Sequence, residues 1–368
     1  MTDIALVLVS ASGGGAERAM IGVMNQLAQA GLKIDVVLVR KTGPFLGEID
    51  PAIRIVDLGA RKVRRMLLPL NRYVKREKPG LIVSALTATD PFVLLGKALF
   101  RWQSKLHISV QNAPTASAVS HDFYFRIWPQ VIRRFYRFAD SLNAISDGVA
   151  RDTETLIGRP AGSIAVIHNP VDIPRAAAMA AEAPNQLWLR DKAGPVLLAV
   201  GRLTMQKDFP TLLRAHARLR ETRPVRLVIL GEGEDRAALE ALADELGTVD
   251  SVAMPGFDAN PFAAMAAADV FVLSSRWEGF ANVVAEALAS GTKVVSTDCP
   301  SGPAEILENG RYGTLVPIQD VDALAAAMGA AIDAPVDRDA LRARAADFAL
   351  DGIAGKYRDL FRARGLIA

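Results

Sequence analysis

Residues 270–291 read VFVLSSRWEGFANVVAEALASG. The run 270–273 is apolar and partly β-branched, which suits a buried strand. A turn-forming stretch around Trp277 follows. From Ala281 or Asn282 onward apolar residues recur at helical spacing, and Gly291 marks the stop. The stretch therefore reads as a strand, a loop and a helix.

The same unit recurs along the chain. In the first half strands are read near residues 4–9, 34–39, 81–84, 106–110, 141–145 and 164–167. In the second half they are read near 196–200, 225–230, 251–254, 270–273, 293–296 and 314–316. Helical patterns fit between most of them. Repeated βα units give parallel strands with helices on both faces. Residues 171–190 (VDIPRAAAMAAEAPNQLWLR) contain Pro174 and Pro184 and no strand signal, so they read as a linker. The expectation is an α/β protein of two doubly wound, Rossmann-like parallel-sheet domains, 1–170 and 191–350, facing each other across a cleft. A C-terminal helix within 351–368 is expected to pack back on the first domain. In such sheets ligands bind beyond the carboxyl ends of the strands.

The length of 368 residues agrees with two domains. Hydrophobic residues make up 51% and charged residues 23%, which excludes a disordered, collagen-like or rod-like chain. The single Cys299 excludes an internal disulfide and a cysteine-built metal site. His107, His121, His168 and His216 form no ligand-spaced pair, so no metal is expected. No apolar run reaches the ~18 residues of a membrane span. Met1-Thr2-Asp3 leads straight into a strand-like run, so no signal peptide and a cytoplasmic location are expected.

A net charge of +3 conceals an asymmetry. Residues 1–168 carry 22 Lys/Arg against 13 Asp/Glu; residues 169–368 carry 21 against 27. The excess concentrates in two stretches. Residues 61–78 (RKVRRMLLPLNRYVKREK) hold eight basic residues and one acid, and 121–138 (HDFYFRIWPQVIRRFYRF) hold seven aromatics and four Arg. Basic residues beside Leu, Trp, Phe and Tyr suit a helix on an anionic membrane surface. A solvated helix face over core aromatics has the same composition. The expected location is peripheral, on the inner face of the cytoplasmic membrane through the first domain. Nucleic acid is not an expected partner, because the basic character is local and no nucleic-acid motif accompanies it.

Three loops carry candidate chemistry. After the first strand, residues 13–18 (GGGAER) open a helix, and glycines there let a ligand approach the backbone and the helix N-terminus. This is not GxGxxG, and no acid clearly ends the second strand, so a nicotinamide oxidoreductase is disfavoured. After strand 196–200, the loop GRLTMQK places Arg202 and Lys207 just past a strand end. Two fixed cations there suit a diphosphate leaving group, and two surface cations on a loop would look the same. After strand 270–273, Glu278 lies in the loop, the amides of Phe280, Ala281, Asn282 and Val283 sit at a helix N-terminus, and Glu286 follows on the helix. Helix N-termini attract anions, and a carboxylate accepts two hydroxyl hydrogen bonds, as a ribose diol requires.

These residues resemble the E-x7-E motif, Glu278 to Glu286, of retaining glycosyltransferases of family 4, which have the GT-B fold. The resemblance spans nearly the whole chain in the expected order. Residues 13–18 are similar to the family's GGAER turn, and His168-Asn169-Pro170-Val171-Asp172 to its NPVD segment. Residues 201–207 are similar to its GRLxxQK loop, and Leu230-Gly231-Glu232-Gly233 to LGEG. Residues 297–303 (TDCPSGP) with Glu305-Ile306 resemble a subgroup common in bacterial polysaccharide and lipid-linked oligosaccharide assembly.

The resemblance implies transfer of a sugar from a nucleotide diphosphate sugar to a hydroxyl, with retained anomeric configuration and no cofactor or metal. Arg202 and Lys207 would bind the diphosphate. Glu278 would hold donor-sugar hydroxyls, supported by the Phe280, Ala281, Asn282 and Val283 amides. Glu286 would bind the ribose, Phe257 would lie near the base, and Gly14 and Gly15 would close over the donor. Many members carry a His after the fourth strand of the first domain; here that place holds Gln111 or Asn112, possible donor-sugar contacts. His107 falls within the strand, and Cys299 reads as a buried loop residue. The resulting expectation is a UDP-sugar-dependent transferase of a hexose or N-acetylhexosamine acting on a lipid-linked glycan. The alternatives are a GDP-mannose-dependent mannosyltransferase and a non-catalytic GT-B glycan-binding module.

Overall fold

The computed structural model describes residues 2–12, 14–117 and 123–367, and only the backbone of 116, 117 and 123–128. Gly13 and His121 lie outside the described residues, as does part of the aromatic stretch 121–138. The chain divides into two compact units, Met1–Pro170 with Ala349–Ala368, and Val171–Phe348.

The first unit is a seven-stranded parallel sheet. Its strands are β1 (Ile4–Leu8), β2 (Ile34–Leu38), β3 (Arg54–Asp57), β4 (Leu81–Ser84), β5 (Lys105–Val110), β6 (Ser141–Ala144) and β7 (Ala165–Val166). Their spatial order is β3-β2-β1-β4-β5-β6-β7. β1, β2 and β4 are buried along their whole length, as strands covered on both faces must be. β3 was not anticipated. It is an edge strand whose end residues Arg54 and Asp57 are exposed, so it lacks the apolar run that marks the others.

The Leu350–Ala363 helix belongs to this unit and packs on the Gly15–Gln29 helix. Ile353, Ala354, Tyr357 and Phe361 are buried in one core with β1, β2 and β4. The Tyr357 hydroxyl lies 2.9 Å from Ser109 Oγ on β5 and accepts from Asn143 Nδ2 on β6 at 3.3 Å. A helix more than two hundred residues downstream in sequence is thereby fixed to β5 and β6 by one buried polar group, and to the core around β1, β2 and β4 by an apolar face.

The second unit is a six-stranded parallel sheet of β8 (Val196–Val200), β9 (Arg226–Leu230), β10 (Val252–Gly256), β11 (Val270–Leu273), β12 (Val294–Thr297) and β13 (Thr314–Val316). The order is β10-β9-β8-β11-β12-β13. β8 and β11 are neighbours, while the chain continues from β8 to one side and from β11 to the other. The carboxyl ends of β8 and β11 therefore form the switch point of the sheet, the place where open parallel sheets bind ligands.

The 171–190 stretch is not an unstructured connection. It forms the helices Ile173–Ala180 and Leu187–Arg190, counted with the second unit and packed on the Pro261–Ala267 helix. Asp172 caps the first of them, its Oδ1 accepting from Arg175 N–H at 3.1 Å. The absence of a strand signal excluded a strand there, not a helix.

His216 in the second unit is fully buried, with Nε2 3.0 Å from Ser251 Oγ and no partner for Nδ1 among the described residues. Burial, then the nearby Arg220 charge, lowers its pKa from 6.5 to about 4. The unfolded chain takes up this proton below 6.5 and the folded chain only near 4. Stability from this group is thus complete above pH 6.5 and falls as pH drops toward 4, by up to about 3 kcal/mol. In the first unit burial lowers His107 to about 4 and raises Asp90 to about 7, and these two oppose each other across the same window. His216→Gln is therefore expected to flatten the loss of melting temperature between pH 6.5 and 4. An unchanged slope would assign that loss to other groups.

Candidate functional site

The loop after β8 (201–208) and the loop after β11 (274–281) are tied together by four hydrogen bonds besides the Lys207–Glu278 pair. Arg276 N–H donates to the Gln206 carbonyl at 2.9 Å, and Gln206 Nε2 to the Trp277 carbonyl at 3.0 Å. Ser274 Oγ donates to the Lys207 carbonyl at 2.7 Å, and Arg276 Nη2 to Asp208 Oδ1 at 2.9 Å. Both loops end in a left-handed residue that caps the next helix. Asp208 (φ 48°) precedes Phe209–Arg220, and Ala281 (φ 69°) precedes Asn282–Ala289. Non-glycine residues in that conformation cost on the order of 1–2 kcal/mol each and persist where the surroundings fix them.

This geometry brings Lys207 and Glu278 together. Lys207 Nζ donates to Glu278 Oε1 at 2.7 Å, and the two side chains are only 14% and 8% exposed. Ser275 Oγ donates to the same Oε1 at 2.6 Å. Ser301 Oγ donates to the Glu278 carbonyl and Thr297 Oγ1 to the Ser275 carbonyl, both at 2.6 Å. Among the described residues Glu278 Oε2 accepts no hydrogen bond, so one carboxylate oxygen is held and the other is open. Arg202, on the same loop as Lys207, is exposed and forms no ion pair among the described residues.

The loop after β9 lies directly against the loop after β8. Gly231 has φ 139°, and a Cβ there would stand 2.0 Å from the Gly201 carbonyl oxygen. A Cβ on Gly233 would stand 2.2 Å from the Leu203 carbonyl oxygen. Leu203 N–H donates to the Glu232 carbonyl at 3.0 Å across this contact. Arg236 donates to the Gly231 carbonyl at 3.2 Å and the Met254 carbonyl at 3.0 Å, joining the ends of β9 and β10. Beside them is a pocket of about 440 Å³ lined by Gln186, Leu187, Leu230, Pro255, Phe257 and Asp258. Phe257 is 71% exposed at its edge. A pocket of a few hundred Å³ with a mixed polar and apolar lining and an aromatic rim accommodates a flat heterocycle with hydrogen-bonding edges.

Residues 185–348 match the family model for group 1 glycosyl transferases, and residues 13–175 match that for glycosyltransferase family 4. The chain is 30% identical over 353 residues to the lipopolysaccharide core biosynthesis glycosyltransferase LpsE of Rhizobium meliloti, covering 94% of this chain and 92% of that protein. It belongs to the family 4 glycosyltransferases. It is also 29% identical over 336 residues, 88% of each chain, to the N-acetylgalactosamine-N,N'-diacetylbacillosaminyl-diphospho-undecaprenol 4-alpha-N-acetylgalactosaminyltransferase of Campylobacter jejuni. Its fold matches that of Anabaena Alr3699/HepE, crystallised in complex with UDP-glucose, with a TM-score of 0.83 at 20% identity, covering 99% of this chain and 100% of that one. The two parallel sheets are those of a GT-B glycosyltransferase.

In this glycosyltransferase the sequence-derived residues fall into two sets. Arg202, Lys207, Phe257, Glu278, Ala281, Asn282, Val283 and Glu286 belong to the carboxyl-end loops and following helix of the second unit. Glu286 lies half-buried on the second turn of Asn282–Ala289. The Phe280 ring is 2% exposed and packs edge-on against Phe348 at 5.2 Å, so the ring is part of the core. Cys299 is buried, and burial followed by the Glu278 charge pushes its thiol pKa up, which removes it as a thiolate nucleophile.

Gly14, Gly15, Gln111 and Asn112 belong to the first unit. Gly14 is the N-cap of the helix that begins at Gly15, just past β1. Gln111 is buried and engaged at both ends: Nε2 donates to Ser109 Oγ at 3.1 Å, and Oε1 accepts from Asn169 Nδ2 at 3.0 Å. Asn112 is half-buried and makes no side-chain hydrogen bond among the described residues. His107 is fully buried, 2.9 Å from Asn143 Oδ1 and 4.9 Å from the Phe361 ring, which is a structural position.

Sequence reading missed Ser275, Thr297 and Ser301, which orient Glu278. The available signal was hydroxyl residues at or shortly beyond the carboxyl ends of two strands, too common to be read without knowing that β11 and β12 are adjacent.

Lys207→Met would leave the Glu278 carboxylate with Ser275 alone and is expected to destabilise the second unit by about 3 kcal/mol. Adding Glu278→Gln to Lys207→Met should recover part of that loss. Denaturant titration of both single variants and the double variant measures the coupling, and strict additivity would show that the pair is not an energetic unit.

Proposed function

We propose that the chain is a retaining, metal-independent transferase that moves a hexose or N-acetylhexosamine from a UDP-sugar to a lipid-linked glycan acceptor in cell-surface polysaccharide or lipopolysaccharide assembly. The carrying observation is the Lys207–Glu278 pair at the β8/β11 switch point, with Arg202 exposed on the same loop. The names of the Rhizobium and Campylobacter relatives support the lipopolysaccharide and diphospho-undecaprenol assignment. The UDP-glucose complex of the Anabaena fold neighbour supports UDP as the nucleotide.

In the proposed reaction the bond from the anomeric carbon to the diphosphate oxygen breaks and a bond to the acceptor oxygen forms on the same face. The acceptor hydroxyl proton passes to the departing phosphate oxygen, so the protein need supply no general base. Negative charge grows on the diphosphate as its bond lengthens, and Arg202 and Lys207 stabilise it most in the transition state. The diphosphate draws Lys207 from Glu278, and Ser275 remains on Oε1. The open Oε2 of Glu278 accepts from donor-sugar hydroxyls. Glu286 takes the ribose diol, and the pocket beside Phe257 takes the base.

Arg202→Ala is expected to lower turnover of a UDP-hexose or UDP-N-acetylhexosamine by about 10²-fold or more, read as release of UDP. Turnover unaffected by this change would remove the diphosphate site proposed here. Saturating UDP is expected to raise the melting temperature by several degrees and GDP to leave it nearly unchanged. The reverse order would favour a GDP-mannose donor.

A further inference from the structure

The Asp90–Phe100 helix of the first unit has an outward face that its own sequence does not charge. Val93, Leu94 and Gly96 are buried, whereas Leu95 and Leu99, one turn apart, are 37% and 61% exposed. Its two ionisable side chains point elsewhere. Asp90 is buried and accepts from Ser84 Oγ at 2.6 Å. Lys97 is held by Asp140 at 3.2 Å and donates to the Ser104 carbonyl at 2.6 Å. A surface helix ordinarily turns polar residues outward, so an apolar outer face calls for a partner.

The helices on either side supply the charge. Asp90–Phe100 packs against both Leu67–Glu77 and Phe123–Phe135. The outer face of Leu67–Glu77 carries Leu68, 59% exposed, with Arg72 and Lys75 exposed at following turns. Arg64 and Arg65 are exposed just before it, and none of these four cations forms an ion pair among the described residues. Phe123–Phe135 contributes exposed Arg133 and Arg134. The leucines thus form a strip between two cationic helices.

We propose that this three-helix face, centred on Leu95 and Leu99, docks on an anionic lipid bilayer. The leucines enter the headgroup boundary and the flanking arginines and lysines meet lipid phosphates. Pairing of the face with a second copy would bring like charges together, which disfavours self-association. The inference rests on the lipid-linked acceptor reading and adds to it the element that sequence composition left out, the Asp90–Phe100 helix between the two basic stretches.

The test is co-sedimentation of the full chain with vesicles of phosphatidylcholine alone, or with phosphatidylglycerol added at about one part in four. Binding is expected to the anionic vesicles and to fall steeply with salt. Leu95→Ser with Leu99→Ser should weaken it by about tenfold or more, and Leu99→Ser alone should weaken it measurably. Replacing Arg64, Arg65, Arg72 and Lys75 by Ser should weaken it by about fivefold per residue that reaches the surface. Arg214→Ser with Arg218→Ser, in the second unit, should leave it unchanged. Equal binding to both vesicle types, no binding, or binding indifferent to Leu95 and Leu99 would overturn the proposal. So would a dimer in equilibrium sedimentation that the Leu99→Ser variant abolishes. Release of UDP from the sugar donor, measured without vesicles, should be unaltered in the leucine variants. A failed donor reading would show in that assay, and a failed docking reading only with vesicles.

Discussion

The ion pair between Lys207 and Glu278 joins two loops seventy-one residues apart in sequence. Neither charge is well solvated, so each needs the other or a substitute. Charges held this way are fixed before any ligand arrives, because the four bonds between the 201–208 and 274–281 loops define where each backbone runs. Asp208 shows how closely the constraint is drawn. Its carboxylate, 1% exposed, accepts from Arg276 on one side and from Thr211 Oγ1 at 2.8 Å on the other, while its own backbone is left-handed. The strain at Asp208 and Ala281 is tolerated because it sets the start of the two helices that follow β8 and β11. An anionic ligand replacing Glu278 at Lys207 would find the cation already aimed and would need little further ordering.

The same logic explains the glycines. Gly231 and Gly233 are where the β9 loop meets the β8 loop backbone to backbone. Gly302, with φ 91°, plays the equivalent part on the far side: a Cβ there would lie 2.3 Å from the Phe280 carbonyl oxygen. The loops at the carboxyl end of this sheet are thus packed by main chain, and side chains are reserved for Lys207, Glu278 and the hydroxyls that orient it. Arg236 reinforces the arrangement from outside by holding two carbonyls and Glu232 together.

Much of this was legible in the sequence because a parallel sheet writes itself in apolar runs. The six strands of the second unit were all readable, and the loops after β8 and β11 could be singled out as strand-to-helix turns. What escaped reading shares a physical cause. β3 is an edge strand with charged ends, so burial never imposed an apolar pattern on it. Residues 173–180 are an alanine-rich helix capped by Asp172, which a search for strands passes over. Ser275, Thr297 and Ser301 act through neighbours fixed only when β11 lies beside β12. That Gln111 is tied down could not be read from spacing either, because its partner Asn169 lies fifty-eight residues away.

The buried polar groups of the first unit clarify why a histidine there is not a reactive one. His107, Asn143, Ser109 and Tyr357 form a connected set on β5, β6 and the Leu350–Ala363 helix. Each member is at most a few per cent exposed, and burial holds His107 neutral at ordinary pH. A general acid or base needs access to a proton and a pKa near the working pH, and His107 has neither. What the set does provide is position: β5 leads directly into Gln111 and Asn112, and the C-terminal helix clamps β5 from one face through Tyr357. Beyond this clamp Asn112 is half-buried and its side chain makes no hydrogen bond among the described residues. An amide there can hydrogen-bond a sugar hydroxyl without carrying charge, so the cationic work of the proposed reaction falls to Arg202 and Lys207 in the other unit.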